Sequence, residues 1–155
     1  MDGMFTFDND FNQLLLFDTG SVTDMADMFS GAKNFNNGGQ QVNFDTSSVI
    51  RMAGMFAAPV FNQPLPFDTS SVAGMSGSGM VGMFYGAGVF DQLLVFDTRS
   101  VNDMSYMFED TVAFDQQIMF DTGSVTSMFA MFKNAAAFNE DISSWNVNSV
   151  ELVEG

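Results

Sequence analysis

The chain has 155 residues, a net charge of −15 at pH 7, and neither Cys nor His. The absence of Cys and His excludes disulfide bonds, zinc sites of the Cys/His type, Cys nucleophiles and His general bases. The strongly acidic charge disfavours a nucleic-acid backbone or an anionic membrane surface as partner, because both would be repelled. No apolar stretch approaches ~18 residues, so no membrane insertion is predicted, and the first residues do not resemble a signal peptide.

One pattern recurs along the chain and predicts its organisation. It opens with Phe-Asn-Gln, continues through Phe-Asp-Thr and Ser-Val, and ends with Met and Met-Phe. The five full copies begin at Phe11, Phe35, Phe61, Phe90 and Phe114. A period of this length is typical of stacked repeats, in which each unit buries its apolar face against its neighbours. We therefore predict a single repeat domain over residues 1–155, with a partial repeat over 1–10 and a degenerate partial repeat over 138–155.

The first half of each copy predicts a short strand. In the first copy Leu15 and Phe17 are apolar at alternate positions, as on the inward face of a strand. Both positions recur in every full copy, and Trp145 stands where a sixth Phe would be. An Asp-Thr pair follows, and Asp18 can accept a hydrogen bond from the backbone N–H two residues on, which makes a turn.

The second half predicts a short helix or 3₁₀ segment. Three- and four-residue spacings, which are helical, separate Val22, Met25, Met28, Phe29 and Ala32. Ser21 and Asp24 have the spacing of a capping box, and Gly31 stands where a helix would stop. The two halves together predict an α/β, leucine-rich-repeat-like solenoid with one short strand plus one short helix or 3₁₀ segment per coil. Gly-rich insertions at 37–41 and 76–82 are predicted to be loops outside the coil.

The repeat resembles a known family. FNQPLPFDTSSV at residues 61–72 and SVTDMADMF at 21–29 resemble the BspA-type surface-protein repeat. NEDISSWNVNSV at 139–150 is similar to the bacterial form of that repeat, with Trp145 in the Trp position. The resemblance covers nearly the whole chain. It implies a leucine-rich-repeat-like solenoid, an extracellular or cell-surface location, and a role in adhesion or protein binding, with no enzyme activity.

A column of aspartates is the main candidate for metal chemistry. Its members, one per copy, are Asp18, Asp45, Asp68, Asp97 and Asp121. Carboxylates stacked at about one strand spacing, ~4.8 Å, repel each other by ~3.5 kcal/mol at an effective dielectric of 20. Calcium could bridge them, but nearby backbone amides and hydroxyls could equally satisfy each Asp. We expect the second arrangement, and therefore no metal or cofactor, with calcium kept as an alternative.

Two further columns are interpreted as structural. The column that begins with Asn12 resembles a hydrogen-bonded ladder, because an inward Asn can satisfy backbone groups at a turn. The methionine columns, which include Met25, Met75 and Met104, could suggest a soft-metal site. Core packing is the favoured interpretation, because Met fills irregular gaps and recurs here at regular spacing.

The candidate partner-binding surface is a row of outward positions between the two inward columns, called the outward row below. Its members are Leu16, Asn43, Pro66, Val95 and Met119. An exposed apolar stripe of this kind often marks an interface. The alternatives are that these side chains pack on one another without a partner, or are covered by a longer parent protein.

These observations predict a non-catalytic surface module that recognises protein partners, or mediates adhesion, through the strand face. Two alternatives stay open. One is a structural solenoid that self-assembles end to end or laterally, and the other is a calcium-dependent module built on the Asp column. Acid catalysis by paired carboxylates is disfavoured, because repetition of the Asp residues indicates a structural role.

Overall fold

The computed structural model describes residues 1–73 and 79–151. Within these residues regular secondary structure is limited to the 3₁₀ helix Asn37–Gly39 and two isolated parallel bridges, Asp24 to Arg51 and Asp103 to Ser127. The prediction of an α/β, leucine-rich-repeat-like solenoid with a strand and a helix in each coil is therefore wrong. The described repeats instead stack as turns and extended chain, without a sheet.

The half of each repeat that was expected to be helical forms consecutive turns. We call it the turn segment: residues 25–32, with counterparts at 52–58, 80–87, 104–111 and 128–135. Within the first, the N–H of Ala32 donates to the carbonyl of Phe29 at 3.0 Å. Asp27 (φ 51°) and Gly31 (φ 69°) adopt the left-handed conformation, which interrupts a right-handed helix. Turns about four residues long therefore produced the apolar spacing that resembled a helix.

Hydrogen bonds between repeats explain why a helix does not form here. Every second N–H of the turn segment donates to a carbonyl of the next repeat, as Asp27 does to Ala53 at 2.7 Å and Phe29 to Met55 at 3.1 Å. An α-helix would keep these groups within itself. The capping-box prediction is wrong for the same region, because Asp24 accepts the N–H of Ala26 at 3.0 Å in a local turn.

The half that was expected to be a strand is extended but not paired into a sheet. We call it the extended segment: residues 14–19, with counterparts at 41–46, 64–69, 93–98 and 117–122. Backbone bonding between these segments is sparse, with Val42 donating to Pro64 at a long 3.4 Å. Pro64 and Pro66 have no N–H to donate to a neighbouring segment. The N–H of Leu15 donates instead to the side-chain oxygen of Asn37 at 3.0 Å.

The core consists of stacked aromatic columns with methionines beside them. In the column that opens the copies, neighbouring ring centroids are 5.8 to 6.0 Å apart. A second column from the turn segments has spacings of 5.6 to 6.1 Å. Trp145 stacks on Phe120 at 6.3 Å, which confirms its predicted position. Met80 fills the column position predicted for Met75, which lies outside the described residues.

The insertion at residues 37–41 is an ordered turn rather than a loop outside the stack. Asn37 is buried, and its amide nitrogen donates to the carbonyls of Gln40 and Gln41, both at 3.0 Å. Asn12 fastens the same turn, because its side-chain oxygen accepts the N–H of Gly38 at 3.0 Å. Of the second insertion, residues 76–78 lie outside the described part of the chain.

Candidate functional site

The outward row is exposed along its whole length. Leu16, Val95 and Met119 expose 82%, 80% and 83% of their surface, and Asn43 and Pro66 are also exposed. Their inward neighbours are buried, as Leu94 and Phe96 are on either side of Val95, with the exception of Phe17. The alternation predicted for a strand is therefore present without the strand.

Part of the outward row is concave. Leu93, Val95 and Met119 line a cavity of about 140 Å³ between two neighbouring repeats, together with Gln117. Leu93 is itself exposed, so it widens the apolar surface around Val95. This cavity is the best-formed feature of the predicted partner-binding surface.

The aspartates of the Asp column make local turns. Each accepts the N–H of the residue two positions on, for example Ser70 to Asp68 at 2.9 Å and Gly123 to Asp121 at 2.9 Å. The hydroxyl of Ser70 adds a second bond to Asp68 at 2.6 Å. Local donors therefore bond at least one oxygen of each carboxylate, as expected from the sequence.

The same donors stabilise the ionised carboxylates. The Ser47 hydroxyl and N–H lower the pKa of Asp45, and Ser70 does the same for the pKa of Asp68. Hydrogen bonds from the Arg99 side chain and N–H lower the pKa of Asp97 from its ordinary value of 3.8 to about 2. In the described residues no group of three or more acidic side chains is arranged to hold a metal ion.

The column that begins with Asn12 forms a continuous ladder. Each side-chain oxygen accepts the N–H of the equivalent residue in the next repeat, as Asn36 does from Asn62 at 2.9 Å. Asp91 and Asp115 serve equally well in this column, since only an acceptor oxygen is needed. This interpretation of the Asn column is confirmed as a structural one.

A ladder of threonines was not predicted from the sequence. Thr46, Thr69 and Thr98 are buried, and their hydroxyls donate to backbone carbonyls of the next repeat at 2.8, 3.0 and 2.9 Å. The signal was present in the sequence, because a Thr follows every aspartate of the Asp column. Its importance was hidden because Thr is usually exposed.

A larger cavity on the opposite half of the repeats was also missed. It has a volume of about 600 Å³, and its lining includes Asp27, Gly54, Gly82, Tyr85, Tyr106 and Glu109. We call it the tyrosine groove. Alignment of the outward turn positions could have revealed it, because two glycines stand at one such position between an aspartate and a tyrosine.

Comparison with known protein families gives one family that matches the chain. Two overlapping matches to one family, over residues 1–78 and 67–155, cover its whole length. The family is described as a Mycoplasma protein of unknown function, DUF285. The chain belongs to the DUF285 family.

The DUF285 assignment agrees with a chain made of repeats, since the family matches it twice. It identifies neither a BspA-type protein nor an activity. Comparisons with curated proteins and with solved structures gave no match. Among the described residues there is no helix long and apolar enough to cross a membrane.

Proposed function

We propose that this DUF285 chain is a non-catalytic recognition module that binds a protein partner through the outward row. The observation that carries the proposal is the exposure of the row, at or above 80% for Leu16, Val95 and Met119. Burial of apolar surface contributes ~25 cal/mol per Å², so such side chains gain most from contact with a partner.

The local chemistry of the row also supports recognition of a protein. None of its five members is charged, although the chain as a whole carries −15. The cores of protein interfaces are depleted in charged residues in the same way, and Met is enriched in them. The cavity between Val95 and Met119 offers a place for an apolar side chain of the partner.

Surface display and adhesion are part of the same proposal. They rest on the BspA-type motifs at residues 61–72 and 139–150, whose resemblance implies an extracellular or cell-surface protein. A non-catalytic role is supported by the hydrogen bonds of the acidic columns. Asp68 and Asp91 each hold the backbone of a neighbouring residue or repeat, which is a structural task.

The test compares two double variants. Leu16→Asp with Val95→Asp places charges in the row, and Val60→Asp with Val89→Asp places the same charges on exposed valines outside it. Each protein, and the wild type, is immobilised and used to capture proteins from a cell-surface extract. We expect both variants to fold, with melting temperatures close to the wild type, since the substituted side chains are exposed.

The row is the binding surface if proteins captured by the wild type and by the Val60/Val89 variant are lost with the Leu16/Val95 variant. Identical capture by all three proteins would contradict the proposal. Sedimentation of the same proteins at several concentrations separates the structural alternative. Self-association that disappears in the Leu16/Val95 variant would mean that the row binds a second copy of the chain.

A further inference from the structure

Two glycines, several small or apolar residues and a few functional side chains line the tyrosine groove. Gly54 and Gly82 occupy equivalent positions in neighbouring repeats and form the floor. The same position is Asp27 in the repeat before them and Tyr106 in the repeat after them, so a carboxylate and an aromatic ring form opposite walls. Tyr85, from the turn segment that contains Gly82, adds a second ring.

Gly54 is the floor position that Asp27 approaches closely. A Cβ atom on Gly54 would clash with a carboxylate oxygen of Asp27, so the Asp27 side chain would have to move if Gly54 were replaced. Gly54 also has a φ of +62°, which favours glycine. The carboxylate of Asp27 therefore lies against Gly54, at the floor of the groove.

Tyr106 is held in an unfavourable backbone conformation. Its φ is +60°, which is rare for a bulky residue, and the two equivalent positions before it are glycine. The ring is partly exposed and meets Phe129 edge-on at 5.3 Å. The positive φ belongs to this position in every described repeat, as at Asp27 (φ 51°) and Ala130 (φ 53°), and glycine occupies it in two of them, so the fold itself does not require a tyrosine ring here.

The charges around the groove favour a cation. Asp27 and Glu109 are the charged groups that line it. Glu109 is paired with Lys133 at 2.7 Å, and Arg51, near Asp27, is paired with Asp24 at 3.0 Å. Burial raises the pKa of Asp27, and so does the negative charge of Asp2. An incoming cation would offset the repulsion between the carboxylates of Asp27 and Asp2.

We propose that the tyrosine groove binds a lysine or arginine side chain from a basic peptide segment, which contacts Tyr85 and Tyr106 and pairs with Asp27. Tyrosine rings attract cations through their faces, and desolvation strengthens this attraction. Arginine also stacks on aromatic rings and pairs with carboxylates through two hydrogen bonds. The net charge of −15 would speed the encounter with such a segment.

The experiment titrates the full chain with the peptide acetyl-Gly-Gly-Arg-Gly-Gly-amide, with its Lys form and with a neutral Gln form. Amide chemical shifts in NMR spectra report both the affinity and the location of binding. We expect the Arg and Lys peptides to shift signals of the groove residues, and the Gln peptide to shift none. Tyr106→Asn and Asp27→Asn should each weaken binding by roughly tenfold, since each removes one of the attractive contacts. Both positions have positive φ, which Asn tolerates.

Two matched controls separate the groove from general attraction by an acidic surface. Phe7→Asn changes an exposed aromatic of positive φ outside the groove, and Asp10→Asn removes one exposed charge elsewhere. Neither should weaken binding by more than about twofold, because screened surface charges contribute little. The Leu16→Asp, Val95→Asp variant should also bind normally, which keeps this site distinct from the outward row.

Three results would each overturn the proposal. The first is the absence of binding by the Arg and Lys peptides. The second is equal loss of affinity with Asp10→Asn and Asp27→Asn, which would indicate non-specific attraction. The third is undiminished affinity after Tyr106→Asn in a protein that melts like the wild type.

Discussion

The turn segments and the extended segments join the repeats in different ways. In the turn segments the backbone itself makes the connection, as when Tyr106 donates to the carbonyl of Phe129 at 2.9 Å. In the extended segments side chains make it, as when Thr69 donates to the carbonyl of Asp97 at 3.0 Å. Both arrangements satisfy polar groups that would be costly to bury unpaired.

The difference determines where the sequence can vary. Backbone bonds do not depend on side-chain identity, so one outward turn position holds Asp27, Gly54, Tyr106 and Ala130 in different repeats. Side-chain bonds require a particular atom, and the three hydroxyls that donate to the next repeat, those of Thr46, Thr69 and Thr98, depend on the residue type at those positions. Recognition chemistry can therefore be built on the turn segments without loss of the stack.

The largest effect is expected from the core that both segments share. Phe67→Ala should lower the free energy of unfolding by ~3–5 kcal/mol, because a buried aromatic ring is removed and a cavity remains. Its counterpart Phe17 exposes 37% of its surface against 5% for Phe67, so Phe17→Ala should cost clearly less. Urea denaturation of both variants measures the difference, and equal costs would show that burial at this Phe position does not determine its contribution to stability.

The next effect tests the side-chain ladder. Asn62 accepts the N–H of Asp91 at 3.0 Å and the side-chain amide of Gln92 at 2.8 Å. Asn62→Ala should cost ~1–3 kcal/mol, because both donors lose their acceptor. Asn62→Asp keeps an acceptor oxygen and is the matched control, expected to cost much less. If the two variants denature at the same urea concentration, the ladder is not a source of stability.

A smaller effect distinguishes two members of the threonine column. Thr69→Val removes a hydroxyl that donates to Asp97, and should cost about 1 kcal/mol. The buried hydroxyl of Thr19 has no hydrogen-bond partner within the described parts of the chain. Thr19→Val should therefore be neutral or stabilising. Thermal unfolding of both variants tests this prediction. A larger drop in melting temperature for Thr19→Val than for Thr69→Val would contradict the hydrogen bonding described for the two hydroxyls.

The smallest effects depend on pH and have opposite signs in the two segments. The pKa of Asp97 is lowered to about 2, so its stabilising contribution is present above its ordinary 3.8 and is lost as pH falls towards 2. Burial raises the pKa of Asp27, so its ionisation destabilises the fold at neutral pH and this penalty disappears in acid.

Melting temperatures of two variants between pH 7 and pH 2 measure these signs. Asp97→Asn should melt below the wild type at pH 7, and the difference should vanish near pH 2. Asp27→Asn should melt above the wild type at pH 7, with no advantage in acid. If both variants changed the melting temperature at pH 7 in the same direction, ionisation of the two aspartates would not have opposite effects on stability.

Several features of the stack could be predicted from the sequence. The Phe columns, the place of Trp145, the ladder that begins with Asn12 and the exposure of the outward row all follow from positions that recur. Recurrence identifies which side chains are equivalent, and hydrophobicity indicates which of them are inward. These inferences do not depend on the hydrogen bonding of the backbone.

The secondary structure could not be predicted in the same way. The spacing of Met25, Met28 and Phe29 fits a helix and a series of four-residue turns almost equally well. The choice depended on whether N–H groups such as that of Asp27 find carbonyls within the segment or in the next repeat. The position of Asp27 in the left-handed region could not be read from the sequence, because Asp is found in several backbone conformations.

The sequence by itself determined the repeat, the equivalent columns and the division into inward and outward side chains, because each depends on residue type and period alone. Tertiary structure decided how the backbone is satisfied and where the cavities lie. The tyrosine groove exists because Gly54 and Gly82 lie side by side between Asp27 and Tyr106, residues 79 positions apart in the chain. Their proximity depends on stacking of the repeats, which no local pattern specifies.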